Sequence, residues 1–269
     1  MMKRVSSPTK PQKEPPRMND GYRALASVYD RLNGDVDYAA WADFTERCFE
    51  KFSSRKPTSL LELGCGTGSM TLELAKRGYD MTALDISEDM LAVAHQRAEE
   101  EGLKNILFLR GDMTDFELYG TVESVICCLD GINHLTCRED AAACFSLVSN
   151  YLEPGGVFLF DLNTPYKFKT LYADNDYILE DDGAVCCWQN RLNKKGDVCD
   201  FYLTVFEEQP NGLYKRTDGV QRERCYGMKA IRNLLGAAGL EFISAVSSYN
   251  FDEITEGTER WYITARKPE

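Results

Sequence analysis

Residues 60–68 read Leu-Leu-Glu-Leu-Gly-Cys-Gly-Thr-Gly, an apolar run that breaks into glycines at 64, 66 and 68. Glycine lets the backbone turn sharply and lets a ligand lie directly against it. A helix that follows such a turn presents the positive end of its dipole to the same spot. A dinucleotide fingerprint spaces its glycines G-x-G-x-x-G, whereas here the third glycine comes one residue early. That spacing disfavours a nucleotide-cofactor oxidoreductase, which must cradle a pyrophosphate. It suits a tight loop that accepts a methionine moiety and a ribose. Asp85 closes the next apolar run, 21 residues after Gly64, and a carboxylate there can accept two hydrogen bonds from ribose hydroxyls. Gly111-Asp112-Met113 follows the third run. Asp112 can accept from an adenine amino group, and Met113 offers an apolar face and a backbone N–H.

The fourth apolar run ends Cys127-Cys-Leu-Asp130-Gly-Ile-Asn-His134. This loop lies at the same strand ends as Asp85 and Asp112. His134 is its titratable group of most interest, because an imidazole beside a reacting centre can take a proton from an amine or hydroxyl. The Asn/Asp-Pro-Pro-Tyr motif of exocyclic-amine nucleic-acid methylases is missing here. A partial look-alike, Asn163-Thr-Pro-Tyr166, falls one run later and reads as a proline-containing turn. Ten cysteines include no C-x-x-C pair, and His95 and His134 are the two histidines, so no metal site is expected. The thiols read as core residues of a reducing compartment.

These residues need elements to position them. Ser59–Leu63, Tyr79–Leu84, Asn105–Leu109, Val122–Leu129 and Val157–Leu162 read as buried strands. Helical patterns over Ser69–Arg77, about 88–101 and Ala141–Leu152 alternate with them. Ser87 is placed to cap the second of these, with Met90 at the position where a capping box wants Glu. Strand and helix in alternation predict a parallel sheet with helices on both faces. Residues 183–225 change to a period of two, with turn signals at Asn193–Asp197 and Asn211-Gly212, and predict three antiparallel strands forming a lid. A helix over Met228–Ala238 and strands over Glu241–Ser247 and Trp261–Arg266 close the chain. Ahead of the core, residues 19–56 read as two amphipathic helices, the second capped by Asp37.

The chain of 269 residues carries a net charge of −12. Residues 1–18 hold five basic residues against Glu14, which leaves the remainder at −16. So acidic a body repels phosphate backbones, and a nucleic-acid substrate is not expected. No apolar run approaches the ~18 residues of a membrane helix, and the first residues lack the apolar core of a signal peptide, so a cytoplasmic protein is expected.

With these motifs in place, the chain resembles class I S-adenosylmethionine-dependent methyltransferases over about residues 20–267. The N-terminal Tyr22…Ala26-x-x-Tyr29-Asp30 and Asp37-Tyr38-x-x-Trp41 are similar to a bacterial small-molecule subgroup that includes aminosugar N,N-dimethyltransferases. The resemblance implies a Rossmann-like, seven-stranded α/β methyltransferase sheet. It divides the chain into a disordered tail (1–18), a helical cap (19–57), a cofactor core (58–163), an antiparallel β insertion serving as acceptor-side lid (164–226) and a closing part of the core (227–269). It implies S-adenosylmethionine as cofactor, held by Tyr29, Trp41, Glu62, Gly64, Cys65, Gly66, Gly68, Asp85, Ile86, Met90, Asp112, Met113, Leu129 and Asp130. His134 and Tyr22 are the expected catalytic residues. The expected partner is a small neutral or cationic acceptor, with Tyr166 and Trp188 joining the N-terminal aromatics around it. An RNA or protein methyltransferase of the same fold, or a non-catalytic cofactor-binding module, are the alternatives. Monomer and homodimer both stay open.

Overall fold

A computed structural model describes residues 36–181 and 183–269. Tyr22, Tyr29 and the expected first helix lie outside the described residues. The described chain opens on α1 (Tyr38–Phe52), where the Asp37 carboxylate accepts from the Ala40 N–H at 2.9 Å, as the sequence predicts. Then come β1 (Ser59–Leu63), α2 (Ser69–Lys76), β2 (Asp80–Asp85), α3 (Glu88–Glu100), β3 (Ile106–Arg110), β4 (Val122–Cys127), α4 (Arg138–Tyr151) and β5 (Leu152–Asn163). A short helical turn over residues 165–172 leads to β6 (Asp176–Asp181), β7 (Ala184–Leu192), β8 (Val198–Glu208) and β9 (Tyr214–Arg224). The chain closes with α5 (Met228–Ala237), β10 (Glu241–Val246) and β11 (Arg260–Arg266).

Seven strands form one sheet in the order β10-β11-β5-β4-β1-β2-β3, and only β11 runs antiparallel to its neighbours. Strand alternation divides the core between two faces. Leu60, Ile126 and Leu159 point to the face covered by α1 and α2, where they meet Phe44, Phe49 and Met70. Leu61, Leu63, Val125, Phe158 and Phe160 point to the other, against Phe145 of α4 and Leu235 of α5. Burial on both sides explains why β1 and β4 read as largely apolar runs, broken at Glu62 and at Glu123-Ser124, rather than alternating ones. From β1 the chain steps outward to β2 and β3, then returns to the other side of β1 as β4. The carboxyl ends of β1 and β4 therefore flank the reversal point, where open α/β sheets bind ligands.

The insertion is a separate antiparallel sheet, β6-β7-β8-β9. The sequence predicts three strands, and the structure has four. The extra one, Asp176–Asp181, carries acidic residues at 176, 180 and 181 that hide its alternation, but it pairs in full register with β7. Met90 at the start of α3 packs with Leu203 and Val205 of the insertion, so this sheet closes over the carboxyl end of the main one. Asn163-Thr-Pro-Tyr166 forms the start of the connecting turn, with the Thr164 hydroxyl accepting from the Lys167 N–H at 3.2 Å. All ten cysteines are free thiols, and no described helix is long and apolar enough to cross a membrane.

Candidate active site

The loop from β1 to α2 is held in place by backbone bonds. The N–H groups of Gly64 and Cys65 both donate to the Leu84 carbonyl, at 2.8 and 3.0 Å. Gly64, Gly66 and Gly68 all have positive φ, at 68°, 55° and 82°, a region other residues enter only at a cost. The three do different work. A Cβ at Gly66 would meet nothing within 4 Å, so this glycine leaves open space for a ligand. A Cβ at Gly68 would stand 2.7 Å from Leu72 Cδ1 and 2.9 Å from Ala94 Cβ, so this glycine lets α2 and α3 close together. Gly68→Ala is therefore expected to destabilise the fold by about 1–3 kcal/mol through overpacking, read as a lowered midpoint in denaturant unfolding.

Asp85 ends β2 with both carboxylate oxygens on backbone donors: Oδ2 accepts from Gly66 N–H at 2.8 Å and Oδ1 from Ser87 N–H at 2.8 Å. Each oxygen keeps a second acceptor site. Burial pushes its carboxyl up from the ordinary value, against the pull of these bonds. Ser87 caps α3 through the Met90 N–H at 3.3 Å. Asp112 forms a turn, its Oδ1 accepting from the Thr114 N–H at 2.8 Å and hydroxyl at 2.7 Å, which leaves Oδ2 to accept from a ligand.

A cavity of about 560 Å³ runs along these strand ends. Glu62, Gly64, Cys65, Gly66, Asp85, Ile86, Met90, Asp112, Met113, Leu129 and His134 all line it. Gly68 stands behind it, in the helix packing already described. Glu62 is buried and accepts from the Thr71 hydroxyl. Burial above all, with help from Asp85, raises its carboxyl to about 8, so it is a neutral acid at pH 7. Ile86 is 44% exposed and, with Met113, gives the cavity apolar surface on which a base can lie.

Two expected cofactor contacts sit elsewhere. Trp41 is 2% exposed and packs on Tyr249 and Tyr262, each 5.8 Å away between ring centroids. Tyr38, one helical turn earlier, lines the cavity instead. Asp130 turns away from the cavity, where its Oδ1 accepts from Arg260 Nη2 at 2.8 Å. The expected aromatic acceptor wall is likewise absent among the described residues. Trp188 packs edge-on against Phe201 at 5.6 Å, and neither it nor Tyr166 lines the cavity.

The cavity is also walled by His134, Leu135, Thr136, Asp140, Gln221 and Arg222. His134 ends a 3₁₀ turn, Gly131–His134, and one of its ring N–H groups donates to the Arg222 carbonyl of β9. The other nitrogen then carries the lone pair, and burial holds the imidazole below its ordinary value of 6.5. It is a neutral ring able to accept a proton at pH 7. Arg222 is paired with Asp200 through Nε–Oδ1 and through Nη2–Oδ2 at 3.0 Å. Gln221 is 7% exposed, faces the cavity, and its amide has no partner among the described residues. The end of β9 is tied to the same turn, with Asn133 Nδ2 donating to the Arg224 carbonyl at 2.8 Å and Arg224 Nη1 to the Thr136 carbonyl at 3.1 Å.

Sequence reasoning missed Gln221. The signal for it lies in the register set by the Asn211-Gly212 turn. Pairing outward from that turn sets Gln221 opposite buried Phe201 and Glu223 opposite buried Cys199. Opposed residues share a face, so Gln221 and Glu223 join Asn190, also opposite Phe201, as polar side chains on a largely apolar inner surface.

One oxygen each of Asp130 and Glu223 and one nitrogen of His134 lie within 4.8 Å of one another. Arg260 and Lys167 already set two positive charges against these carboxylates, so the knot is compensated by side chains.

A methyltransferase domain model matches residues 60–156. A solved S-adenosylmethionine-dependent methyltransferase from Clostridium acetobutylicum is 30% identical, with a TM-score of 0.82, over 92% of this chain and 99% of that one. A putative methyltransferase of Geobacillus is 27% identical over 91% of this chain and 99% of its own length. The dTDP-3-amino-3,4,6-trideoxy-α-D-glucopyranose N,N-dimethyltransferase of Streptomyces venezuelae is 33% identical over 55% of this chain and 60% of its own. The chain belongs to the S-adenosylmethionine-dependent methyltransferases.

Proposed function

We propose that the cavity holds S-adenosylmethionine along Glu62–Gly66, Asp85–Met90 and Asp112–Met113, and that the methyl group passes to an amine or hydroxyl of a small neutral or cationic acceptor. The observation that carries this reading is one cavity lined both by the cofactor-type strand ends and by His134 and Gln221. The residues present fit the cofactor: open space over Gly66, a two-oxygen acceptor at Asp85, an apolar pair at Ile86 and Met113, and a buried carboxyl at Glu62. Bound there, the cofactor supplies a methyl group already activated by its sulfonium. The protein's main task is then alignment, and holding two reactants in line can contribute roughly 7–11 kcal/mol. His134 takes the proton that the acceptor nitrogen or oxygen must lose. Gln221 offers both a donor and an acceptor to a neutral polar group of the acceptor, and leaving a buried amide unpaired costs about 1–3 kcal/mol. Asp140 adds negative charge to the cavity wall, and Arg222 brings a cation that Asp200 already compensates. The relative that acts on a dTDP-aminosugar supports an amine-bearing small molecule. The experiment is transfer of label from methyl-labelled S-adenosylmethionine to pooled small amines, bulk RNA and protein. Label in the small-molecule fraction supports the reading, and label confined to RNA or protein contradicts it.

Glu62 makes cofactor binding pH-dependent. With its carboxyl near 8, it must lose a proton before it can face the cofactor's α-ammonium group. Affinity for S-adenosylhomocysteine is expected to rise with pH up to about 8, close to tenfold per unit below that value, with one proton released on binding. Calorimetry in buffers of different ionisation enthalpy measures that proton directly.

A further inference from the structure

Asp130 was expected to touch the cofactor, and its position assigns it another task. It opens the 3₁₀ turn that ends in His134, and its carbonyl accepts from the Asn133 N–H at 2.8 Å. Its φ is 53° and that of Leu129 is 54°. Two consecutive side-chain-bearing residues in the left-handed region persist only where their surroundings hold them. Those surroundings are Asp161, whose Oδ2 accepts from the Asp130 N–H at 2.9 Å, and Arg260, which bridges Asp161 and Asp130 Oδ1. This anchorage carries an Asp130 oxygen to within 4.8 Å of a His134 ring nitrogen.

We infer that Asp130 is the positioning residue of His134, its carboxylate stabilising the protonated ring that takes up the acceptor's proton. This rests on the proposed role of His134 and deepens it. The ring meets Asp130 on its own turn and the Arg222 carbonyl on β9, with a Glu223 oxygen of β9 within 4.8 Å. Lys167 after β5, Asp161 on β5 and Arg260 on β11 act on Asp130 and Glu223, and Asp140 on α4 lines the same cavity. Arg222 is occupied by Asp200. Glu223 is fully enclosed, accepts from Asn163 Nδ2 at 2.9 Å, and is pushed well above the carboxylate range, chiefly by burial. Asp130 meets the cost of burial with Arg260, Lys167 and His134, which hold it below its ordinary value. Asp130 is the carboxylate whose charge acts on the His134 ring, favouring its protonated form against the cost of burial.

The two histidines make the test direct. His95 is 61% exposed on α3 and serves as an internal reference in the NMR titration of ¹³C-histidine-labelled protein saturated with S-adenosylhomocysteine, with His95→Gln assigning the signals. Asp130→Asn keeps an oxygen for Arg260 and suits a positive φ. It is expected to move the His134 midpoint down by about one unit, a tenfold loss of proton affinity, with His95 unmoved and the calorimetric affinity for S-adenosylhomocysteine within twofold. Glu223→Gln is expected to leave the His134 midpoint in place. If Asp130→Asn does not accumulate folded, Arg260→Lys gives the test with the opposite sign: loosening the fork on Asp130 moves the His134 midpoint up. A midpoint unmoved by Asp130→Asn, or moved by Glu223→Gln instead, overturns the assignment. Loss of cofactor affinity in Asp130→Asn with an unchanged midpoint also overturns it and returns Asp130 to the cofactor. Failure of wild-type protein to bind S-adenosylhomocysteine strikes the cofactor reading instead, and the same titration without ligand still decides the Asp130 link.

Discussion

Replacing His134 by glutamine is expected to lower kcat for methyl transfer by about 10²–10⁴, the usual range for a positioned general base, with affinity for S-adenosylhomocysteine unchanged within twofold. The separation follows from where the ring sits. It lines the cavity from the turn after β4 and is held by its N–H bond to the Arg222 carbonyl, whereas the cofactor-type contacts lie on the loops after β1, β2 and β3. The wild-type pH profile carries the same signature. Burial depresses the imidazole below 6.5, so the neutral, proton-accepting form prevails at pH 7, and kcat falls only as pH drops through that lowered value. The glutamine variant is expected to lose this acid limb. An unchanged kcat in His134→Gln, measured with the acceptor that takes label, would leave transfer to alignment alone.

Asp85→Ala is expected to weaken S-adenosylhomocysteine binding by more than tenfold, at least about 1.4 kcal/mol. Two effects add. The ribose loses a charged acceptor, and hydrogen bonds to a charged group are each worth about 1.5–3 kcal/mol. The Gly66 and Ser87 N–H groups also lose the carboxylate that holds the glycine loop against the start of α3. Asp85→Asn keeps an oxygen for one of those donors and is expected to fall between wild type and alanine. Calorimetry reads both, and an affinity unchanged in Asp85→Ala removes this residue from the ribose role.

The main sheet was legible because glycines mark its turns and because double burial makes β1 and β4 largely apolar, with Glu62 in the one and Glu123-Ser124 in the other as the polar interruptions. Met228–Ala237 and Arg260–Arg266 were legible for similar reasons, the first from its helical period and Gly239 behind it. Other features depend on tertiary packing that local pattern does not carry. Tyr38 and Trp41 lie three residues apart on one helical stripe, and Tyr249 and Tyr262, about 200 residues on, claim Trp41 for the core. Asp130 follows a strand end just as Asp85 and Asp112 do, yet Arg260, brought in by the antiparallel strand β11, draws its carboxylate behind the loop. Gln221 acquires meaning only through its register opposite Phe201.

The most direct test of the account is calorimetric titration of the purified chain with S-adenosylhomocysteine and, separately, with NAD. The account predicts saturable one-to-one binding of S-adenosylhomocysteine, weakened more than tenfold by Asp85→Ala, and no binding of NAD. Binding of NAD in its place, or S-adenosylhomocysteine binding indifferent to Asp85, would contradict it.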